Sequence, residues 1–298
     1  MNKGPRFLYV LIIVFLFAGI LFGQEDEVLS VDSAIVVMNA TITDIHGKPV
    51  HGLKQNQFKI FEDGAEQQID FFRAEETPFA AVILLDTSGS MEERVSLARA
   101  AAIKFLDGLR ETDVASIYNF DSKVSLVQDF SNSRDITESA FDLKARGMTV
   151  LNDAIFKAAE ELQKRPEKRK AIIVLSDGAD TQSRYSSDKA LKAALAANAL
   201  IYTIDMSADN PNDRLRANNQ GVLKNFAEKT GGTFIPTPGG QAMREAFGRI
   251  AEELGSQYTL TYQPTNVKKD GKWRALELRV ARGGLVIRTR KGYNAPKK

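Results

Sequence analysis

Two uninterrupted apolar runs limit the possible folds more than any other feature of the chain. "FAAVILL" (79–85) and "AIIVLS" (171–176) contain no polar position until the very end, the pattern of strands covered on both faces. Each leads into a short polar loop and then a helical stripe: Val95, Ala98, Ala102, Phe105, Leu106 and Leu109 after the first, "DKALKAALAANA" (188–199) after the second. The same alternation fills the space between and beyond them. Strands are expected at "DVASIYNF", "KVSLVQDF" and "LIYTIDM", and helices near 134–144, at "NDAIFKAAEELQK", at "VLKNFAEKTGG" and at "QAMREAFGRIAEEL". Such a series predicts an α/β unit with a doubly wound, mostly parallel sheet and helices on both faces.

The segments on either side read differently. "AIVVMNATITD" (34–44) alternates, and "QFKIFEDG" and "QQIDFFRAE" follow with "EDG" as a hairpin turn. After Ser256 the β pattern returns in "QYTLTYQP", "RALELRVA" and "LVIRTRKGY". Neither block has enough strands for a two-layer core, whereas together they supply about seven, as a sandwich needs. The expectation is a discontinuous β-sandwich, 28–77 and 257–295, interrupted by the α/β domain at 78–256. Asn39-Ala-Thr41 has the form of a glycosylation acceptor, but inside a strand pattern it reads as a chance match.

Residues 1–23 belong to neither domain. Lys3 and Arg6 precede an uncharged apolar run from Phe7 to Phe22, short for a membrane span but suited to a secretory signal. Leu21 and Phe22 make a poor cleavage context, so a signal peptide and a retained N-terminal anchor both stand. Either predicts an exported chain: periplasmic, held at the cell envelope, or secreted. Only a retained segment would attach it to a membrane. Without residues 1–23 the chain has 38 basic and 38 acidic residues, a balance that argues against nucleic acid as a partner. The one basic run, Lys164, Arg165, Lys168, Arg169 and Lys170, reads as a solvated loop. With no cysteine in the sequence, thiol chemistry and disulfides are excluded, and stability must come from the core.

Three polar loops coincide with strand ends or helix starts: "DTSGS" (86–90), "RGMTVLNDAI" (146–155) around Thr149, and "LSDGADT" (175–181) around Asp177. In open α/β sheets, loops at the carboxyl ends of strands converge on the ligand site. Asp86 and Asp177 would bring two carboxylates to one rim, where they repel unless a cation lies between them. Carboxylate and hydroxyl oxygens are the donors that hard divalent cations take. Singly, each motif has a structural explanation: Ser90 with Glu93 as a capping box, Thr149 as a residue that caps or precedes a helix, Asp177-Gly178 as a turn. Jointly they favour a site.

The joint pattern resembles the von Willebrand factor type A (VWA) domain family over about residues 79–255. The family's D-x-S-x-S is matched by Asp86, Ser88 and Ser90, its threonine by Thr149 after Gly147, and its later aspartate by Asp177. The flanks are similar to a secreted bacterial VWA-related group, through "FEDG" before the domain and "YTLTYQP" and "RKGY" after it. The resemblance implies a metal-ion-dependent adhesion site holding Mg2+, with Mn2+ or Ca2+ as alternatives. It implies that Ser88 and Ser90 contact the metal directly, that Thr149 does so in some states, and that Asp86 and Asp177 act largely through water. An Asp or Glu of a protein partner would then complete the coordination. Gly89 would let the backbone pack closely around the site.

Two other readings remain: a cell-envelope scaffold with a purely structural metal, and a metal-dependent hydrolase. Against the hydrolase, Ser88 stands where a phosphatase D-x-D loop has its second carboxylate, and His46 and His51, the two histidines, lie outside the α/β segment. The sequence therefore predicts a non-enzymatic binding module. Amino-terminal sequencing of the exported chain is expected to start near Gln24 or Glu25; recovery as a full-length cytoplasmic chain would refute export.

Overall fold

The computed structural model describes residues 35–74, 77–91, 94–133, 148–207, 214–236 and 241–297. The expected signal (1–23) and the helix near 134–144 lie outside them, as do Glu93 and Gly147. The central element is a six-stranded sheet in the order β10-β9-β8-β5-β6-β7. Its strands are β5 (Phe79–Asp86), β6 (Val114–Phe120), β7 (Val124–Ser131), β8 (Arg169–Ser176), β9 (Ala199–Asp205) and β10 (Phe234–Ile235). All neighbours are parallel except β7, which turns back antiparallel on β6 at one edge. The other edge, β10, is a two-residue strand too short to register in the sequence pattern.

The apolar run at 79–85 is sorted by its two-residue period. Ala81, Ile83 and Leu85 face helices α1 (Val95–Asp107) and α5 (Gln241–Gly255), meeting Phe105 and Phe247. Ala80, Val82 and Leu84 face the opposite layer, built with α2 (Leu151–Gln163), α3 (Ser187–Ala196) and α4 (Arg214–Thr230). Every residue of β5 is buried, which is why the run has no polar member before Asp86.

The flanking blocks form two further sheets, ordered β13-β1-β11-β4 and β14-β12-β2-β3. The strands are β1 (Val36–Asp44), β2 (Phe58–Glu62), β3 (Ala65–Gln67), β4 (Phe71–Ala74), β11 (Tyr258–Tyr262), β12 (Trp273–Val280), β13 (Leu285–Arg288) and β14 (Gly292–Asn294). Both sheets mix strands from before and after the α/β unit and share one apolar core, from Met38, Phe58, Ile60, Tyr258, Leu260 and Leu278. There are eight strands rather than about seven. The runs "QQIDFFRAE" and "LVIRTRKGY" each yield two short strands in opposite sheets, which is how sandwich corners are made. Asp63 and Gly64, both at positive φ, close the β2–β3 hairpin. Glu62 of "FEDG" accepts hydrogen bonds from Tyr262 (2.6 Å) of "YTLTYQP" and Tyr293 (2.9 Å) of "RKGY". Three motifs far apart in sequence thus meet at one buried carboxylate.

The joint between α/β unit and sandwich corrects the expectation of a solvated basic loop. Arg169, assigned to a solvated loop, is fully buried. Its guanidinium donates to the carbonyls of Leu254, Gly255 and Gln257 and to Thr259 Oγ1, where α5 runs into β11. The rest of the run is partly tied down as well: Lys164 pairs with Glu161, Arg165 with Glu167, and Lys168 lies over the Phe71 ring. Asn39 is buried, its amide donating to Lys168 O (2.9 Å) and accepting from Thr259 Oγ1 (2.9 Å), so it is an interdomain strut. On the other side of the joint, Glu253 of α5 accepts from Thr41, Tyr202 and Arg288. Replacing Arg169 by Ala leaves several buried carbonyls without a donor, and is expected to cost about 3 kcal/mol. A urea titration checks this; an unchanged midpoint would show the joint to be dispensable.

Candidate functional site

Strand β5 ends at Asp86, fully buried between its neighbours. One carboxylate oxygen accepts the backbone N–H of Ser88 (2.9 Å) and the other the hydroxyl of Ser176 (2.6 Å) at the end of β8. Thr87 is drawn to the adjacent β6, its N–H and hydroxyl both donating to Phe120 O (2.8 and 3.2 Å). The chain then makes a single 3-10 turn, Gly89–Met91, before α1. The Ser88 and Ser90 hydroxyls stand 3.1 Å apart, Ser88 buried and Ser90 exposed.

The cap of α1 falls at Arg94, without a side-chain capping bond. Glu93 is outside the described residues, and Ser90 lies within the 3-10 turn, upstream of the cap position, so Ser90 is not its cap. Thr149 precedes α2 rather than capping it, the cap position being Val150. Asp177 does make a turn, accepting Ala179 N–H (3.0 Å). Gly178, at φ +79°, is required there: a Cβ would lie 2.6 Å from Asn219 O on α4. Gly89 departs from its expected role, since a Cβ there meets nothing within 4 Å.

The structure joins the three loops through residues the sequence did not single out. Ser176 ties β8 to Asp86 and also accepts Gly178 N–H (3.0 Å), which orients the Asp177 turn. Thr149 N–H donates to Thr181 Oγ1 (2.9 Å), while Thr149 O accepts from the amides of Thr181 and Gln182. Asp180 takes Asn152 N–H (2.8 Å), and Asp153 takes the amides of Arg184 and Tyr185. These bonds staple the Thr149 segment onto the loop that carries Asp177. The density of Ser, Thr and Asp at 176–183 was the available signal, but nothing in the spacing says which of them support and which face outward. Asp205, at the end of β9, is also buried, held by Gln220 (2.6 Å) and Ser207 N–H (2.9 Å). Arg94 reaches from the start of α1 to the carbonyls of Met206 and Ser207.

Burial pushes the Asp86 carboxyl up to about 6; the Ser176 and Ser88 hydrogen bonds oppose this, and repulsion from Asp177 adds to it. Among the described residues Asp86 has no ion-pair partner. No group of three His, Cys, Asp or Glu is gathered anywhere among them. The five residues that the sequence singled out would instead offer two carboxylates and three hydroxyls, hard oxygen donors, beside a buried charge that no cationic side chain balances among the described residues. That composition fits a hard divalent cation and gives soft metals no ligand.

The raised value has a consequence in chelator. With its native pKa above the unfolded one, Asp86 contributes stability that is complete below about pH 4 and disappears as pH rises through about 6. A shift of about two units corresponds to roughly 3 kcal/mol. In EDTA the chain is expected to lose stability between about pH 4 and 6.5, and Asp86→Asn to lose less. Matching pH profiles from denaturant titrations of both proteins would contradict this.

Residues 81–179 match the family model of the von Willebrand factor type A domain. An uncharacterized protein of Synechocystis sp. is 27% identical over 183 residues, 58% of this chain and 42% of that protein. Inter-alpha-trypsin inhibitor heavy chain H3 of Bos taurus is 29% identical over 115 residues, 34% of this chain and 13% of that one. The chain thus spans less than half the length of these curated relatives. Among solved structures, a von Willebrand factor type A protein from Catenulispora acidiphila superposes with a TM-score of 0.51 at 14% identity. That alignment covers 88% of this chain and 74% of the other, a likeness of fold. With its parallel sheet, its two helical layers and the segment that carries Asp86, the chain is similar to the von Willebrand factor type A domain family over the matched residues.

Proposed function

We propose that the chain is an exported protein-interaction module. In this reading Asp86, Ser88, Ser90, Thr149 and Asp177 hold a divalent cation, Mg2+ first and Mn2+ or Ca2+ as alternatives, and an Asp or Glu of a protein partner completes the site. The family is made mostly of interaction and adhesion modules. The observation that carries the finer reading is the Asp86 carboxylate, buried at the end of the central strand and, among the described residues, without a balancing cation. Once bound, the cation would supply a positive centre able to take an outside carboxylate.

The chain's own residues divide that work. Ser176 and the Ser88 amide hold Asp86 in one orientation, so its charge is fixed before any ligand arrives. Ser88 and Ser90 present paired hydroxyl oxygens, the outer one open to solvent. Thr181 and Asp180 hold the Thr149 segment in register with the Asp177 turn. His46 and His51 are exposed in the β1–β2 connection of the sandwich, leaving the α/β unit without a histidine base. Export rests on Lys3, Arg6 and the apolar run to Phe22. Among the described residues no helix is long and apolar enough to cross a membrane.

A ligand that binds only the native state stabilises it by about 2.7 kcal/mol at a hundredfold excess over Kd. Wild-type protein is expected to melt at a higher temperature in Mg2+ than in EDTA, and Asp86→Ala to show no such difference while keeping its circular dichroism. Identical wild-type melting curves in the two buffers would overturn the metal site.

A further inference from the structure

We propose that a cleft at the joint between the α/β unit and the sandwich is a second binding site, one that takes a small amphipathic acid: a carboxylate head on an apolar body. The cleft has a volume of about 610 Å3. Small-molecule sites usually measure about 300–1,000 Å3 and favour domain interfaces. It opens where β5, β6 and β8 begin, since Thr77 and Pro78 precede β5, Thr112 precedes β6, and Pro166 and Lys168 precede β8. These strands are parallel, so the cleft lies at the end of the sheet opposite Asp86 and is independent of the metal. Strand β4 of the sandwich closes the other side. Phe71 and Arg73 share one face of it by the two-residue period, with Thr259 directly across from Arg73.

Two cations, one from each domain, stand on the Phe71 ring. Lys168 Nζ lies 4.4 Å from the ring centroid and the Arg73 guanidinium 5.8 Å, which together put the charges within about 10 Å of each other. Both side chains are exposed, and among the described residues neither has a hydrogen bond or an ion pair. The one acid in the lining, Glu167, is matched by a full opposite charge, since Arg165 donates to both of its oxygens (2.7 and 3.1 Å). Asp113, which follows Thr112, is matched in the same way by Arg110 through two bonds of 2.7 Å. Glu75 and Glu76 lie outside the described residues; among the described lining residues, positive charge is in excess. Deeper in, Thr77 is only 8% exposed and its hydroxyl has no hydrogen-bond partner among the described residues. Buried polar atoms are rarely left so, and a ligand oxygen in the cleft would supply the missing partner.

These features select one ligand chemistry. Phe71, Pro78 and Pro166 give the cleft apolar walls, against which a hydrocarbon body gains by leaving water. An inorganic anion would leave those walls wet, and a neutral apolar molecule would leave both cations unmatched. A carboxylate on a short hydrocarbon answers both. One exposed cation holds a carboxylate weakly, but two that flank the same ring both attract it, and the guanidinium can offer two parallel N–H donors.

The test uses the full chain in EDTA, so that no metal-held carboxylate contributes, with octanoate and octan-1-ol as probes. Calorimetry is expected to show saturable binding of octanoate and about tenfold weaker binding of octan-1-ol. In the double variant Arg73→Gln, Lys168→Gln the two affinities should converge, while circular dichroism and melting report on folding. Should that variant fail to fold, the single variants Arg73→Gln and Lys168→Gln carry the comparison, each expected to lose part of the advantage. Equal affinities in wild type would overturn the site, showing the cations to be cancelled by nearby acids such as Glu75, Glu76 or Glu111. An advantage for octanoate that survives in the folded variants, or no binding of either probe, would overturn it as well.

Discussion

The burial of β5 governs the rest of the molecule. The strand is paired on both edges and covered on both faces, so seven of its eight residues can be apolar and the eighth, Asp86, is carried into the interior with them. A carboxylate in that position needs compensation that water cannot give. The chain provides two hydrogen bonds, from Ser88 N–H and the Ser176 hydroxyl, and these leave the acid raised to about 6. They orient the charge but do not balance it. The Ser88 and Ser90 hydroxyls that follow it, the first buried and the second exposed, are what turn a costly buried acid into a candidate cation site.

The loops around Asp86 can be rigid because their own acids are spent on backbone amides. Asp153, Asp180 and Asp177 each accept amides from the segment between 152 and 185. Loops held in this way keep their shape without apolar packing, which the surface position of a binding rim does not allow.

At the opposite end of the sheet, the sandwich is locked to the α/β unit through polar groups rather than a shared apolar core. Arg169, Asn39 and Glu253 each bridge the joint, and each is satisfied by several partners. Since α5 runs into β11 at this joint, the last helix of the α/β unit is anchored where the second half of the sandwich begins. The two halves of the sandwich meet around Glu62, whose partners Tyr262 and Tyr293 lie about two hundred residues further along the chain.

Much of this was legible from the sequence. Continuous apolar runs identified the buried strands, because a strand covered on both faces tolerates no polar alternation, and the order of elements implied the inserted α/β unit. The family pattern marked Asp86, Ser88, Ser90, Thr149 and Asp177 by spacing. What spacing could not supply was orientation in three dimensions. Arg169 sits in a run of lysines and arginines that looks uniformly wet, yet only its register on β8 turns it into the joint with α5. Gly89 looked like a packing glycine and has open space, while Gly178 is the one that a helix presses upon. Ser176 and Thr181 are ordinary small residues until the sheet brings β5 beside β8. Local pattern determined which segments are strands and helices and which loops are rich in oxygen. Only tertiary structure decided which of those oxygens are spent on the chain's own amides and which remain for a ligand, since that depends on contacts between residues up to two hundred positions apart.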